Sequence, residues 1–368
     1  MNLLILSAST GGGHDMRAYA LRDWWHQRGG TAVIHHPLES SFIGYKFGCN
    51  LYNLIQRKLP LMHFGYFYFL EYASMHRGPK RIIGSKRFVR FCRSINPQII
   101  VSVHSHLNHG FFELIKRDIS KSISFAVFSG ELADGIGFSR HWVNPFNDLF
   151  VGPTQECCIA AQKRGMPPEK CLMSGPLLRR SFFQKENLHQ KQVLDELGLK
   201  KSVPTYLLST GANGVNKRQI VIDSIMERGK YCQVIALCGK NKSTLATLNE
   251  KYRNLDKIKV IPLSTIDDKM MVRLLRAVDF VFARPGAGIS TEVLVTGTHV
   301  VFDISGGVMP QEINNLNYWK KHSSFVPLCK NPRQLPVIVD NLRGTSPLSI
   351  KIDEQPRVLL SALESLVK

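Results

Sequence analysis

The chain is short of acid. Its 368 residues hold 28 Asp and Glu against 48 Lys and Arg, a formal net charge of +20. That imbalance bears on partners rather than on fold. Long apolar runs are absent as well: nothing approaches 18 consecutive apolar residues, so no membrane-spanning helix is expected. The eight cysteines form no Cys-x-x-Cys pair and no disulfide-framework spacing. The adjacent Cys157 and Cys158 suit neither a metal site nor a mutual disulfide. The thiols therefore read as reduced and the protein as cytoplasmic. The start, Met1-Asn2-Leu3-Leu4-Ile5-Leu6, lacks a basic n-region and reads as a first strand rather than a signal peptide. Short repeats, low-complexity tracts, a complete G-x-G-x-x-G fingerprint and a Walker A loop are all missing. What remains is a globular composition, 44% hydrophobic and 21% charged, at a length that suits two domains.

The order of elements points to α/β architecture. Strands are expected at Leu3 to Ser7, Thr31 to His35, Ile99 to Val103, Ser124 to Phe128 and Leu149 to Val151. Helical patterns lie between them, from Asp15 to Gln27 and over most of Phe42 to Cys92, with breaks near Pro60 and Gly78-Pro79. This is the alternation of an open, mainly parallel sheet. The rhythm stops at Gly175 to Asn187, where the inter-domain linker is placed. A second α/β series follows, with strands at Thr205 to Ser209, Cys232 to Leu237, Ile258 to Ile261, Asp279 to Ala283 and His299 to Ile304. Gln355 to Lys368 reads as a final helix. The domains are drawn at residues 1–180, 181–345 and a C-terminal helical segment 346–368, which can pack back on the first domain.

Four glycine-containing turns follow expected strands: Gly11-Gly12-Gly13, Gly211 to Gly214, Gly239, and Gly286 with Gly288. Turn chemistry alone explains any one of them. Together, at the strand ends of two α/β domains, they line crevices where ligands bind. The run Arg284-Pro285-Gly286-Ala287-Gly288 feeds a helix expected at Ser290 to Thr296. A glycine turn at a helix N-terminus seats a phosphate, because unpaired N–H groups and the helix dipole face the anion. Glu292, inside that helix, is either a first-turn acid that complements the dipole or a carboxylate that holds both hydroxyls of a ribose. Gln311, Glu312 and Asn315 open the next helix with side chains suited to reading hydroxyls. A phosphate seat beside a hydroxyl-reading cluster suggests a sugar nucleotide. His14 opens the first helix, where the dipole disfavours the imidazolium. It is either a proton acceptor for an attacking hydroxyl or a capping or phosphate-contacting residue.

The positive charge is uneven. Between Ser41 and Ile100 there are ten Lys or Arg and one acid, Glu71, interleaved with Phe64, Tyr66, Phe67, Tyr68, Phe69 and Tyr72. Such a window suits an anionic membrane surface. It carries no zinc finger, RNP-type aromatic motif or homeodomain-like helix, so nucleic acid is not the expected partner. A basic solvated face over an aromatic core is the plainer reading.

With these residues in place, the chain resembles a known family. Ser9-Thr10-Gly11-Gly12-Gly13-His14 is similar to the opening of the monogalactosyldiacylglycerol synthase and processive diacylglycerol glucosyltransferase family, relatives of the peptidoglycan GlcNAc-transferase. The resemblance continues through Trp142 and Pro145, Gly175 to Phe182, Gly211 to Gly214, Cys238 to Lys242, Pro285-Gly286-x-Gly288 with Glu292, and Gln311-Glu312-x-x-Asn315. It spans nearly the whole chain in order. It implies a glycosyltransferase-B type fold of two facing Rossmann-like domains with parallel sheets. It also implies a UDP-sugar-dependent inverting hexosyltransferase, of 1,2-diacylglycerol 3-beta-galactosyltransferase or glucosyltransferase type, docked on the cytoplasmic face of a membrane. No resident cofactor or Asp-x-Asp metal motif is implied, and none of the latter is found. Carried over, Gly211, Gly214, Gly239, Arg284, Gly286, Gly288 and Glu292 would line the UDP, Gln311, Glu312 and Asn315 would read the hexose, and His14 would sit at the reaction centre. The chain departs from the family at Ser129-Gly130-Glu131, where a Thr-Asp pair is common, so the base is His14 or Glu131. Rival readings keep the fold and differ in activity: another lipid-linked acceptor, a soluble sugar-nucleotide epimerase, or a non-enzymatic basic membrane-binding protein.

Overall fold

The structure is a computed structural model. It describes residues 1–368 except 11, 42, 59–61, 74–76, 185–189, 210–217, 228–230, 254, 256–257, 354–355 and 368, and the side chains at 43, 46, 52–53, 55–58 and 62–63. Two compact units are present. The first is Met1–Phe183 with Met309–Tyr318 and Ile352–Lys368, and the second is Gln184–Val308 with Trp319–Lys351.

The first unit holds β1 (Asn2–Leu6), β2 (Thr31–His35), β3 (Ile99–Ser102), β4 (Ser124–Phe128), β5 (Leu149–Gly152) and β6 (Cys171–Met173) in the order β2-β1-β3-β4-β5-β6. The second holds β7 (Thr205–Leu208), β8 (Cys232–Gly239), β9 (Ile258–Ser264), β10 (Phe280–Ala283), β11 (His299–Asp303) and β12 (Leu328–Cys329) in the order β12-β11-β10-β7-β8-β9. Every pairing is parallel. Parallel strands need both faces covered, which is why β3, β4, β7 and β10 are unbroken apolar or small-residue runs buried along their whole length. Each unit has its own core. Leu4, Leu6, Phe88, Ile100, Phe111, Phe125 and Phe150 belong to the first; Leu208, Ile222, Val234, Phe282, Val301 and Leu335 belong to the second.

In both sheets the strand order reverses once, between β1 and β3 in the first and between β7 and β10 in the second. The loops leaving the two strands at such a point diverge to opposite faces and open a crevice at the strands' carboxyl ends. The first crevice is flanked by the segments after Leu6 and Ser102, the second by those after Leu208 and Ala283.

The strands read from sequence are present within a few residues of their expected ends. The two edge strands β6 and β12 are additions to that reading. They are three and two residues long, too short for a pattern. The helix after the second glycine turn begins at Ala287, not Ser290, with Gly286 as its N-cap. Glu292 therefore lies in the second turn, and the first turn contains no acid. That removes the reading of Glu292 as a first-turn acid.

Candidate active site

The first crevice is built from side chains. β1 ends at Leu6, and the chain turns through Gly12, whose φ of 78° is left-handed, into the helix Gly13–Gln27. Glycine takes that conformation without strain. Asp15 then ties the turn down. It accepts from Ser7 Oγ at 2.7 Å, Ser9 Oγ at 2.9 Å and His36 Nε2 at 2.8 Å. Burial pushes the Asp15 carboxyl up, but those hydrogen bonds outweigh it and hold the group below its ordinary range.

His14, one residue earlier, points the other way. Its Nδ1 lies 2.7 Å from the Val103 carbonyl, just past the end of β3. Only an N–H can sit that close to a carbonyl oxygen, so Nδ1 carries the proton and Nε2 keeps a lone pair. No described residue bonds Nε2. Burial, then the Arg17 cation and His106, push the imidazole down to about 3, although the Val103 carbonyl works in the opposite direction. His14 is thus a neutral, oriented acceptor at the switch point.

Around it stand residues that no local motif signals. The Arg17 guanidinium, one helical turn on, has Nη2 3.3 Å from His14 Nδ1. It also fills the space over Gly130, where a Cβ would lie 2.2 Å from Arg17 Cζ. Glu131, after β4, balances that cation. Its carboxylate accepts from Asn314 Nδ2 at 3.0 Å and from the Trp142 side chain. Burial pushes Glu131 up, and Asn314, Arg17 and Trp142 only partly restore it. Asn314 is fully buried, and its Oδ1 has no partner among the described residues. The loop carrying Glu131 packs on the start of the helix Pro310–His322 so closely that a Cβ on Gly137 would lie 2.1 Å from the Pro310 carbonyl carbon.

The same helix carries the hydroxyl-reading candidates. Glu312 is buried, and its Oε2 accepts from the Met309 N–H at 2.8 Å while its own N–H donates to the Met309 carbonyl at 2.9 Å. The Glu312 side chain thus makes the return half of a capping box, while its own N–H bonds the backbone rather than an N-cap side chain. Asn315 is also buried, one turn beyond Gln311. His14, Glu131, Gln311, Glu312 and Asn315 therefore all lie in the first unit.

Further histidines extend from His14. Ring centroids are 4.5 Å apart for His14 and His104, 5.6 Å for His104 and His106, and 4.8 Å for His106 and His141. His104 Nδ1 accepts from the His106 N–H at 3.3 Å, so its Nε2–H donates to Thr10 Oγ1 at 2.9 Å. Asn108 donates to the His141 and Trp142 carbonyls and locks that turn to the segment after β3. Among the described residues no cluster of His, Cys, Asp or Glu could hold a metal ion. Glu71, the one acid of the basic window, accepts from Ser139 Oγ and from the Arg140 N–H at 3.1 Å. The helix Met62–Ala73 is thereby fastened to the turn that carries His141 and Trp142.

The second crevice is built from backbone. Gly286 gives the helix Ala287–Thr296 no side-chain cap, so the N–H groups of its first turn have none to accept from them. A Cβ at Gly286 or Gly288 would meet no atom of the described residues within 4 Å. Arg284 donates from Nη2 to the Gly307 carbonyl at 2.8 Å and joins the segments after β10 and β11. Gly239 has φ 55° at the end of β8. Glu292 is half-buried in this unit. Gly211 and Gly214 lie outside the described residues.

Two parallel six-stranded sheets of this order are the glycosyltransferase-B fold. The chain is similar to the crystal structure of Acinetobacter baumannii MurG, with a TM-score of 0.57 at 12% identity over 99% of this chain and 98% of that one. No family model matches. Two curated relatives carry the names that the motifs pointed to. Monogalactosyldiacylglycerol synthase 1, chloroplastic, of Arabidopsis thaliana is 24% identical over 382 residues, covering 100% of this chain and 69% of that protein. The processive diacylglycerol beta-glucosyltransferase of Staphylococcus saprophyticus is 24% identical over 184 residues, covering 50% of this chain and 45% of that protein.

Proposed function

We propose that the protein is a UDP-sugar-dependent, inverting hexosyltransferase that places a hexose on a hydroxyl of diacylglycerol. The observation that carries this reading is the end-to-end similarity to a monogalactosyldiacylglycerol synthase. The geometry supports it. A half-buried neutral imidazole with an open Nε2 suits a general base. In this reading His14 Nε2 takes the proton of the acceptor hydroxyl as its oxygen bonds to the anomeric carbon. The bond from that carbon to the UDP oxygen breaks, and UDP leaves with the electron pair. The uncapped turn at Gly286, the space beside Gly286 and Gly288, and Arg284 suit the diphosphate. Gly211, Gly214 and Gly239 complete the nucleotide's surroundings, Glu292 holds the ribose, and Gln311, Glu312 and Asn315 read the hexose. Glu131 is not the base in this reading, because Asn314 and Trp142 already hydrogen-bond its carboxylate and the Arg17 cation lies near it. The division of labour is an acceptor-docking domain at residues 1–180 and a nucleotide-binding domain at 181–345, less Met309–Tyr318, which belongs to the first unit and carries the hexose-reading residues with it.

Docking on the cytoplasmic face of a membrane belongs to the same proposal. Lys80, Arg81, Lys86, Arg87, Arg90 and Arg93 are exposed. Phe69 and Tyr72, 57% and 79% exposed, stand on the helix Met62–Ala73 of the same sequence window. No helix among the described residues is long and apolar enough to cross a membrane. The test is incubation with radiolabelled UDP-galactose, UDP-glucose or UDP-GlcNAc and diacylglycerol in phosphatidylglycerol vesicles. Label should enter the lipid with one donor strongly preferred. Interconversion of UDP-sugars without lipid labelling would mark an epimerase instead.

A further inference from the structure

Arg17 belongs to none of the motifs above, yet its guanidinium lies 3.3 Å from His14 Nδ1. It enters the crevice from the same helix as His14. The space its guanidinium occupies exists only because residue 130 lacks a Cβ, since a Cβ there would lie 2.2 Å from both Cζ and Nη1. Glu131 supplies its counter-charge. Asn314 and Trp142 hold Glu131 in turn. Arg17 is half-buried, and its Nε is buried with no hydrogen-bond partner among the described residues, a desolvation cost that a purely structural role would avoid with an apolar side chain.

We infer that Arg17 is a positioning residue for the base: seated in the space that Gly130 leaves open, its guanidinium lies against His14 and presents the imidazole with Nε2 free to accept a proton. This inference rests on the reading of His14 as a base. His14 is faced by Arg17 from its own helix, by His104 and His106 from the segment after β3, and by Trp142 from the turn Arg140–Trp142. Glu131, after β4, acts on it through Arg17, and Asp15 is turned toward His36. Arg17 is thus the one permanent cation in this set. A nearby like charge disfavours the protonated imidazole, as burial does. The base then enters each cycle unprotonated even in acid, at the expense of basicity in the transition state.

Two measurements test this on the full chain, both with Arg17→Gln, Gly130→Ala and Arg17→Lys. The first is histidine side-chain NMR, which follows His14 titration without any need for turnover. His14 should titrate about one to two pH units higher in Arg17→Gln than in the parent. Gly130→Ala should give the same direction of shift, because the new Cβ displaces the guanidinium while its charge stays in the chain. Arg17→Lys, which keeps a cation on the helix, should move it less. The second is the pH dependence of kcat. The parent should be nearly flat from pH 7.5 to 4. Arg17→Gln should lose about two- to tenfold of its rate over that span, with KM for the UDP-sugar within about twofold of the parent.

Should Arg17→Gln fold poorly, Gly130→Ala carries the same readout with Arg17 intact. An unmoved His14 titration in both variants would overturn the inference. So would a tenfold loss of UDP affinity without a titration shift, since Arg17 would then be a phosphate contact. A shifted titration in a protein that transfers no sugar would leave the Arg17 inference standing and overturn the transferase reading.

Discussion

The two switch points are alike in topology and opposite in construction. At the β1/β3 crevice, polarity comes from side chains gathered from distant places: His14, Arg17, Glu131, Trp142 and Asn314, anchored by the Val103 carbonyl. At the β7/β10 crevice it comes from backbone: an uncapped helix N-terminus and two glycines with open space where a side chain would be. A backbone site offers a fixed array of N–H donors that suits an invariant diphosphate. A side-chain site can shift a pKa and hold a tautomer, which proton transfer requires.

The sharpest way to break the comparison is His14→Ala. If the first crevice does the proton transfer, turnover falls by roughly 10²–10⁴-fold, while UDP affinity, measured by calorimetry, stays near the parent's. Glu131→Gln should lose much less. A dead Glu131→Gln beside an active His14→Ala would make the carboxylate the base.

The basic face of the first unit distinguishes the two regions further. Changing Lys80, Arg81, Lys86 and Arg87 together to Gln removes four exposed cations. Each contributes roughly 1 kcal/mol near an anionic surface at low salt, so vesicle binding should weaken by about a thousandfold. Activity on detergent-dispersed diacylglycerol should fall far less. Unchanged flotation with phosphatidylglycerol vesicles returns this face to plain solvation.

The smallest expected effect falls on the second crevice. If Glu292 holds the ribose as proposed, Glu292→Ala should remove a charge-assisted contact of roughly 1.5–3 kcal/mol, about tenfold to a hundredfold in UDP affinity. Equal calorimetric affinity in variant and parent would reduce Glu292 to a surface acid of the helix.

The regions differ as much in how far they are legible in sequence. The second crevice is contiguous: Arg284 to Glu292 spells strand end, turn, N-cap and helix in one run, and local rules suffice except for the helix start, which Gly286 moves to Ala287. In the first crevice only His14 is marked by its neighbours, because it follows a glycine turn. Arg17 reads as one more helix arginine among 48 basic residues. Asn314 reads as a polar residue between two others already singled out. Glu131 stands out only as a departure from a family pattern. Glu312 reads as a hydroxyl-binding side chain, and the structure adds a bond from its carboxylate back to the Met309 N–H, half of a capping box that the missing Ser/Thr at the N-cap hides from sequence.

The sequence by itself determined the parallel α/β architecture, since unbroken apolar runs of four or five residues bury only as strands covered on both faces. It also determined the glycine turns and the uneven charge, because turn chemistry and composition are local properties. Tertiary structure alone decided which strands flank each crevice and that the Val103 carbonyl would fix the His14 tautomer. It alone brought Arg17, Glu131 and Asn314 together. The reason is range. A hydrogen bond between residues 183 positions apart, as between Glu131 and Asn314, leaves no periodicity in the chain, and the buried charges it steadies take their pKa shifts from neighbours that only the fold supplies.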